Sequence, residues 1–161
     1  MTEYHLPPSL AEYEASIDSW LRGLARNPDG SANPVFEAID RGEPGDSEAR
    51  WYVRMAGDEK EHITIWFTLG QRHLRYEVYV LPAPPENQAL VYETALRRND
   101  KLVGAHFAIG VEDALFLKGE LPLAMLSEEE LDRIIGSLYS YTEAAFPTLL
   151  RLAFASKFAG D

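Results

Sequence analysis

The chain has 161 residues, 46% of them hydrophobic and 25% charged, a composition that supports one compact unit with its own core and excludes wholesale disorder. Fifteen Lys and Arg against 26 Asp and Glu leave a formal charge of -11, so the summed field repels phosphate backbones and anionic headgroups and disfavours nucleic acid and membrane surfaces as partners. The absence of cysteine removes disulfides, thiolate metal sites, iron–sulfur clusters and cysteine nucleophiles together.

From Met1 to Pro8 there is neither a basic n-region nor an apolar h-region, and no apolar run approaches the roughly 18 residues of a spanning helix. A soluble, cytoplasmic protein is expected. Segment 9–26 carries Leu10, Tyr13, Ile17, Trp20, Leu21 and Leu24 at helical spacing. Ser9 opens it with Glu12 three residues on, the pattern of a capping box. Asn27-Pro28-Asp29-Gly30 ends it, because Pro lacks the donor and Gly accepts the turn. The following stretch, 28–46, is rich in Pro and Gly around Val35, Phe36 and Ile39; it reads as a loop holding at most one helical turn.

Three runs of period two follow: Trp51, Val53 and Met55; Ile63, Ile65, Phe67 and Leu69; Leu74, Tyr76, Val78 and Val80. Each is a half-buried strand. Gly57-Asp58-Glu59 and Gly70-Gln71 are such short connections that the strands must be antiparallel neighbours. Pro82, Pro84 and Pro85 then lead into a helix over 87–98, whose inner stripe is Leu90, Val91, Ala95 and Leu96. A second hairpin joins Val103, Ala105, Phe107 and Ile109 to Ala114 through Leu117, and Gly119 to Leu123, which includes Pro122, reads as a strand ending or edge segment. The last helix starts at Ser127, with Glu130 completing a second capping box and Leu131, Ile134, Ile135, Leu138, Tyr141 and Thr142 on its inner face. Pro147 stands inside that pattern, where a kink or a new helix is expected.

The order is thus α-β-β-β-α-β-β-α in a single domain over 1–161. This is an α+β fold, an antiparallel sheet with its helices on one face.

Signals of chemistry are sparse. His5, His62, His73 and His106 have no metal-ligand spacing. Glycines sit at turns rather than in phosphate-binding loops, and Glu128, Glu129 and Glu130 are accounted for by capping and the helix dipole. No catalytic residue, metal or cofactor is assigned. Core packing explains least on the polar side of the three-strand meander, where an acidic protein gathers cations with aromatics: Tyr52, Arg54, Trp66, His73, Arg75 and Tyr79. These residue types combine large contact area with fixed hydrogen-bond geometry, and they are the candidate partner-binding residues. A second candidate surface is the C-terminal run Leu149, Leu150, Leu152, Phe154 and Phe158, whose apolar residues fall on more than one side.

Several stretches resemble the YbjN-like proteins, in particular their actinobacterial branch: Arg50-Trp51-Tyr52-Val53-Arg54, Phe67-Thr68-Leu69-Gly70-Gln71-Arg72 and Tyr79 through Asn87. The likeness continues through Leu96-Arg97-Arg98-Asn99, Ala105-His106-Phe107-Ala108 and Gly119-Glu120-Leu121-Pro122-Leu123. The resemblance implies a fold similar to type III secretion chaperones, small acidic proteins that form homodimers and bind extended client segments. It also implies a sensory-transduction regulator without an established reaction, and so carries over no catalytic residue. The expectation is a non-enzymatic protein-interaction module, chaperone-like or a regulatory adaptor, acting as a homodimer on a protein or peptide segment. The alternative is a small-ligand sensor or an enzyme with a pocket between the sheet and the last helix, using His106 or a carboxylate.

Overall fold

A computed structural model describes residues 8–43 and 45–159; the first seven residues of the stretch read for a leader lie outside them. In chain order the elements are α1 (Leu10–Leu24), β1 (Phe36–Arg41), β2 (Ala49–Ala56), β3 (His62–Leu69), β4 (His73–Leu81) and α2 (Gln88–Arg98). Then come β5 (His106–Ile109), β6 (Leu115–Pro122), α3 (Glu128–Ala153) and the short α4 (Ala155–Phe158). The strands make one sheet in the order β1-β2-β3-β4-β6-β5, with every neighbouring pair antiparallel.

Strand alternation decides which face is covered. Trp51, Val53, Ile63, Ile65, Phe67, Leu74, Val78 and Leu117 are at most 1% exposed, and they pack against Ile17, Leu21, Val91, Leu131, Ile134, Leu138 and Leu149 from the helices. All helical packing therefore falls on one side of the sheet. Ser9 starts α1 through the expected reciprocal cap, its hydroxyl accepting from the Glu12 amide while the Glu12 carboxylate accepts from the Ser9 amide. The helix is then tied to the sheet. The Trp51 indole donates to Asp18 at 2.7 Å, and the Arg41 guanidinium pairs with Glu14 and Asp18 while stacking 4.7 Å over the Trp51 ring.

The hairpin turn between β2 and β3 is held from α3. The Glu143 carboxylate accepts from the amides of Asp58 at 2.9 Å and Glu59 at 2.7 Å. A Cβ on Gly57 would lie 2.0 Å from the Lys60 carbonyl oxygen and 2.2 Å from the Glu143 carboxylate, so the turn closes only with glycine there. Lys60 lies over the Phe146 ring at 5.3 Å, and burial holds its ammonium below the usual lysine range, partly offset by the Glu143 charge.

Several expectations need correction. The 28–46 stretch contains β1, which pairs with β2 along Phe36 to Arg41. A register shift between Phe36 and Ala38 puts an extra residue into the alternation, so no period-two signal survives in the sequence. The 119–123 segment contains the end of β6, and there the strand is open on one side as expected: β5 pairs with β6 only as far as Lys118, whereas Gly119 to Pro122 pair with β4 alone. The sheet tolerates its Gly119 because the Tyr76 ring of β4 occupies the missing side chain's place. A Cβ there would come within 2.4 Å of that ring, and the Tyr76 hydroxyl donates to the Gly104 carbonyl at 2.6 Å. The outer strands are β1 and β5. Val103 lies outside β5 and is 69% exposed.

At Ser127 only half a capping box forms. The Ser127 hydroxyl accepts from the Glu130 amide, whereas the Glu130 carboxylate turns to Arg133 at 2.8 Å, which holds it below the usual carboxylate range. No new helix begins at Pro147. Helix α3 continues to Ala153 and ends at Phe154, carried past the missing donor by the buried Ala145 and Leu149 on either side. Of the C-terminal apolar run, Leu149 is buried and Leu150, Leu152 and Phe154 pack on the core, leaving Phe158 at 52% exposure.

Candidate functional site: the bare face of the sheet

The face turned away from the helices carries the side chains of the opposite strand phase. One cross-strand row runs over all six strands: Asp40, Tyr52, Trp66, Glu77, Lys118 and His106. A second row runs Arg50, Thr68, Arg75 and Glu120 from β2 to β6. Cross-strand neighbours on one face touch, and here the aromatics do so edge to face. Tyr52 and Trp66 have ring centroids 5.8 Å apart at 85°, and Tyr79 and Phe116 lie 5.5 Å apart at 87°. Even so, Trp66 remains 40% and Tyr79 41% exposed, a large apolar cost on a surface with no cover from the chain's own helices.

The charges sort into two groups. Arg54 pairs with Glu37 at 2.9 Å, and Glu37 also contacts His62 at 3.0 Å. Arg75 pairs with Glu48 at 2.9 Å and Lys118 with Glu77 at 3.4 Å. Asp40, Arg50, Glu120 and His106 are exposed and make no ion pair among the described residues.

A shallow concavity of about 610 Å³ lies on this face, lined among others by Arg50, Tyr52, Trp66, Arg75, His106 and Lys118. Of the six candidate residues it brings together Tyr52, Trp66 and Arg75. Arg54 lies toward β1 with Glu37, Tyr79 lies against Phe116, and half-buried His73 stands at the start of β4 opposite Pro122; none of these three lines the concavity. Sequence reasoning left out Phe116, Lys118 and Glu120 because Leu115, Phe116 and Leu117 are consecutive buried residues that hide the phase of β6. The acidic partners Glu37 and Glu48 had no signal, since they come from β1 and the loop before β2.

The alternative site between sheet and last helix is filled by Leu131, Ile134, Leu138, Ala145 and Leu149. Thr142, buried among them, has a hydroxyl without a hydrogen-bond partner among the described residues. His106 opens instead onto the concavity on the opposite face. Beneath that concavity, burial pushes the Tyr76 phenol above its usual range, with the Arg133 charge opposing. This keeps the phenol a donor to Gly104. Among the described residues no three His, Asp or Glu side chains converge as metal ligands, and no helix is long and apolar enough to cross a membrane.

The fold and this face define an α+β protein whose sheet is covered by helices on one side and presents aromatic and charged residues on the other. Residues 37–151 match the YbjN family, described as "Putative bacterial sensory transduction regulator"; the chain belongs to that family. It is 30% identical over 113 residues to uncharacterized proteins of Mycobacterium bovis and Mycobacterium tuberculosis, covering 70% of this chain and 62% of theirs. It is 29% identical over 111 residues to one of Mycobacterium leprae, covering 69% and 60%. The chain thus spans about three fifths of the length of the curated relatives it matches. The family description is that of a regulator and names no reaction.

Proposed function

We propose that this protein is a non-enzymatic regulatory adaptor, acting in the cytoplasm, that works as a homodimer and recognises a protein segment through the bare face of its sheet. The observation that carries this reading is the row from Asp40 to His106, in which Trp66 stays 40% exposed against half-buried Tyr52 and beside fixed charges. Large aromatic area next to oriented Arg is what desolvated protein contacts use, and the face sets Arg50, Arg54, Arg75 and Lys118 beside Asp40, Glu37, Glu48, Glu77 and Glu120, a pattern of both signs that suits a segment of mixed charge. The likeness to type III secretion chaperones supports client binding by analogy of fold. Among the six candidates, Tyr52, Trp66 and Arg75 form the centre; Arg54, His73 and Tyr79 form the rim.

The test is site-specific photo-crosslinking from position 66 in the native lysate, repeated with Tyr52→Thr/Arg75→Gln. A crosslinked protein product that disappears with that pair of substitutions supports the reading. Loss of no product, or no product at all, refutes it. Thr keeps strand propensity at position 52, so the folded state serves as an internal control by its melting curve.

A further inference from the structure

The two outer strands of the sheet are finished differently. At β5 the Asn99 carboxamide accepts from the Phe107 amide at 2.6 Å and donates to the Phe107 carbonyl at 3.2 Å. The outward main-chain groups of that strand are thus already paired, and the edge is closed to a further strand. The open stretch of β6, Gly119 to Pro122, is short, and its last residue has no donor. At β1 the Gly42 amide donates to the Arg50 carbonyl at 2.8 Å. Pairs alternate along an antiparallel ladder, so Ala38 and Asp40 turn their main-chain groups toward Arg54 and Tyr52, while Ile39 and Arg41 turn theirs outward. No strand lies beyond β1, and no backbone hydrogen bond from another segment reaches Ile39 or Arg41 among the described residues. Each of the two offers one donor and one acceptor, in line and ~7 Å apart.

Beside this edge lies a groove of about 350 Å³ between the end of α1 and the start of β1, with Arg22, Ala25 and Arg26 on one side and Phe36 and Ile39 on the other. Phe36 and Ile39 are half-buried against the core, so the floor is apolar. Arg22 and Arg26 are exposed and make no ion pair among the described residues. Arg26 donates through Nη1 to the Gly30 carbonyl at 3.0 Å, which fixes its guanidinium and leaves other donors for a ligand. Glu37 also lines the groove, but its carboxylate pairs with Arg54 of the bare face. In a chain of formal charge -11, this is a local positive site over an apolar floor.

Edge and groove together define the occupant. Glu14 and Asp18 of α1 meet Arg41 at the end of β1, whereas Arg22 and Arg26, further along the chain, flank its start. A strand that adds antiparallel to β1 therefore enters beside Arg41 and leaves beside the two arginines. Its residues opposite Arg41 and Ile39 exchange main-chain hydrogen bonds with them. Cross-strand partners share a face, so the side chain opposite Ile39 lies over the apolar floor, where a β-branched residue fits. The residues that follow it reach the two guanidiniums, whose charge and fork geometry suit carboxylates.

We propose that the outer edge of β1, with the groove of Arg22 and Arg26, is a docking site for an extended acidic segment of another protein, added antiparallel to β1 as a further strand. Main-chain pairing gives the contact its affinity for extended chain, and the arginines select segments that carry carboxylates after an apolar residue. The site is separate from the bare face and stands without it.

The probe is a blocked peptide, acetyl-Thr-Thr-Val-Thr-Val-Thr-Asp-Glu-amide, titrated into the isotope-labelled chain and followed by amide resonances and hydrogen exchange. The control peptide ends in Lys-Lys. The acidic peptide binds about tenfold more tightly than the basic one, the difference that exposed ion pairs at two arginines produce, and it slows exchange at the Ile39 and Arg41 amides. Arg22→Glu/Arg26→Glu inverts the preference; both positions are exposed, and melting curves verify that the variant folds. Methylating the two Val amides of the peptide, which point at β1, abolishes binding. Tyr52→Thr/Arg75→Gln leaves it unchanged, which separates this site from the bare face. The proposal is overturned by absence of binding at millimolar peptide, by equal affinity for the two peptides, by binding that leaves Ile39 and Arg41 exchange unaltered, or by loss of binding in the bare-face variant. Protection of the same two amides that arises without peptide and grows with protein concentration also overturns it, because the occupant is then a second copy of the chain.

Discussion

The grip of α3 on the turn between β2 and β3 is the tertiary contact whose cost can be worked out most directly. Replacing Glu143 with Ala removes the acceptor of both the Asp58 and the Glu59 amide. Hydrogen bonds to a charged group contribute about 1.5–3 kcal/mol each when shielded, and solvent at this exposed turn reduces that to about 1 kcal/mol each. The loss of about 2 kcal/mol corresponds to a fall in melting temperature of roughly 4–8 °C for a chain of this size. Glu143→Gln keeps one carbonyl acceptor and loses about half as much. The alanine variant also leaves Lys60, half-buried against Phe146, without its neighbouring negative charge, so its ammonium falls further below the usual lysine range. Thermal denaturation followed by circular dichroism measures the first effect, and hydrogen exchange at the Asp58 and Glu59 amides localises it. An alanine variant that melts within about a degree of wild type, with unchanged exchange at both amides, would refute the reasoning.

Other outcomes follow from the same geometry. Thr142→Val replaces a buried hydroxyl that has no hydrogen-bond partner among the described residues with a methyl group of the same shape, and should stabilise by about 1 kcal/mol; a lower denaturation midpoint would show that the hydroxyl is satisfied after all. Gly119→Ala drives a methyl group into the Tyr76 ring and the Gly104 carbonyl, each at 2.4 Å, and should cost about 1–3 kcal/mol in chemical denaturation, more than Gly136→Ala, where nothing lies near. Burial raises both the Tyr76 and Tyr139 phenols above their ordinary value of 10.0, and the latter donates to the Ala56 carbonyl at 2.8 Å. Because their folded values lie above the unfolded one, they add stability that is present below pH 10 and lost as pH rises through the folded values. Lys60, shifted down by burial from 10.5, acts in the opposite sense by relieving its charge at high pH. A tyrosinate absorbance titration of wild type against Tyr76→Phe and Tyr139→Phe should show the removed groups to be late-titrating ones among the eight tyrosines; early-titrating ones would contradict the burial argument.

Period-two alternation in Trp51–Met55, Ile63–Leu69 and Leu74–Val80, with connections too short for any crossover, was enough to place three antiparallel neighbours and to say which side chains share a face. Ser9 with Glu12 likewise marked the start of α1, since a cap is a contact between residues three apart. These elements were readable because their causes are local. The two-sided character of the sheet followed from them, and with it Tyr52, Trp66 and Arg75 as surface residues of one patch. The capping pattern at Ser127 and Glu130 was local too, but Arg133 competed for the carboxylate and won, which one-dimensional spacing does not reveal.

Interactions between distant segments decided the rest. Strand β1 exists because β2 offers it a hydrogen-bonding edge; the bulge between Phe36 and Ala38 erases its own periodicity. Helix α3 passes Pro147 because the core on one side holds the turns before and after it, a balance of lost hydrogen bond against burial that no local propensity contains. Gly119 is accommodated in β6 because Tyr76, its partner on β4 forty-three positions earlier, covers it. The candidate site shows the same division. Local alternation sufficed to put arginines and aromatics on the outer face, whereas the pairing of Arg54 with Glu37 and Arg75 with Glu48, and the solitude of Arg50 and Glu120, depend on which strand lies next to which. Side-chain phase is a property of a strand; charge complementarity is a property of the assembled sheet, and it emerges only when the strand order β1-β2-β3-β4-β6-β5 sets the distances between residues the chain keeps far apart.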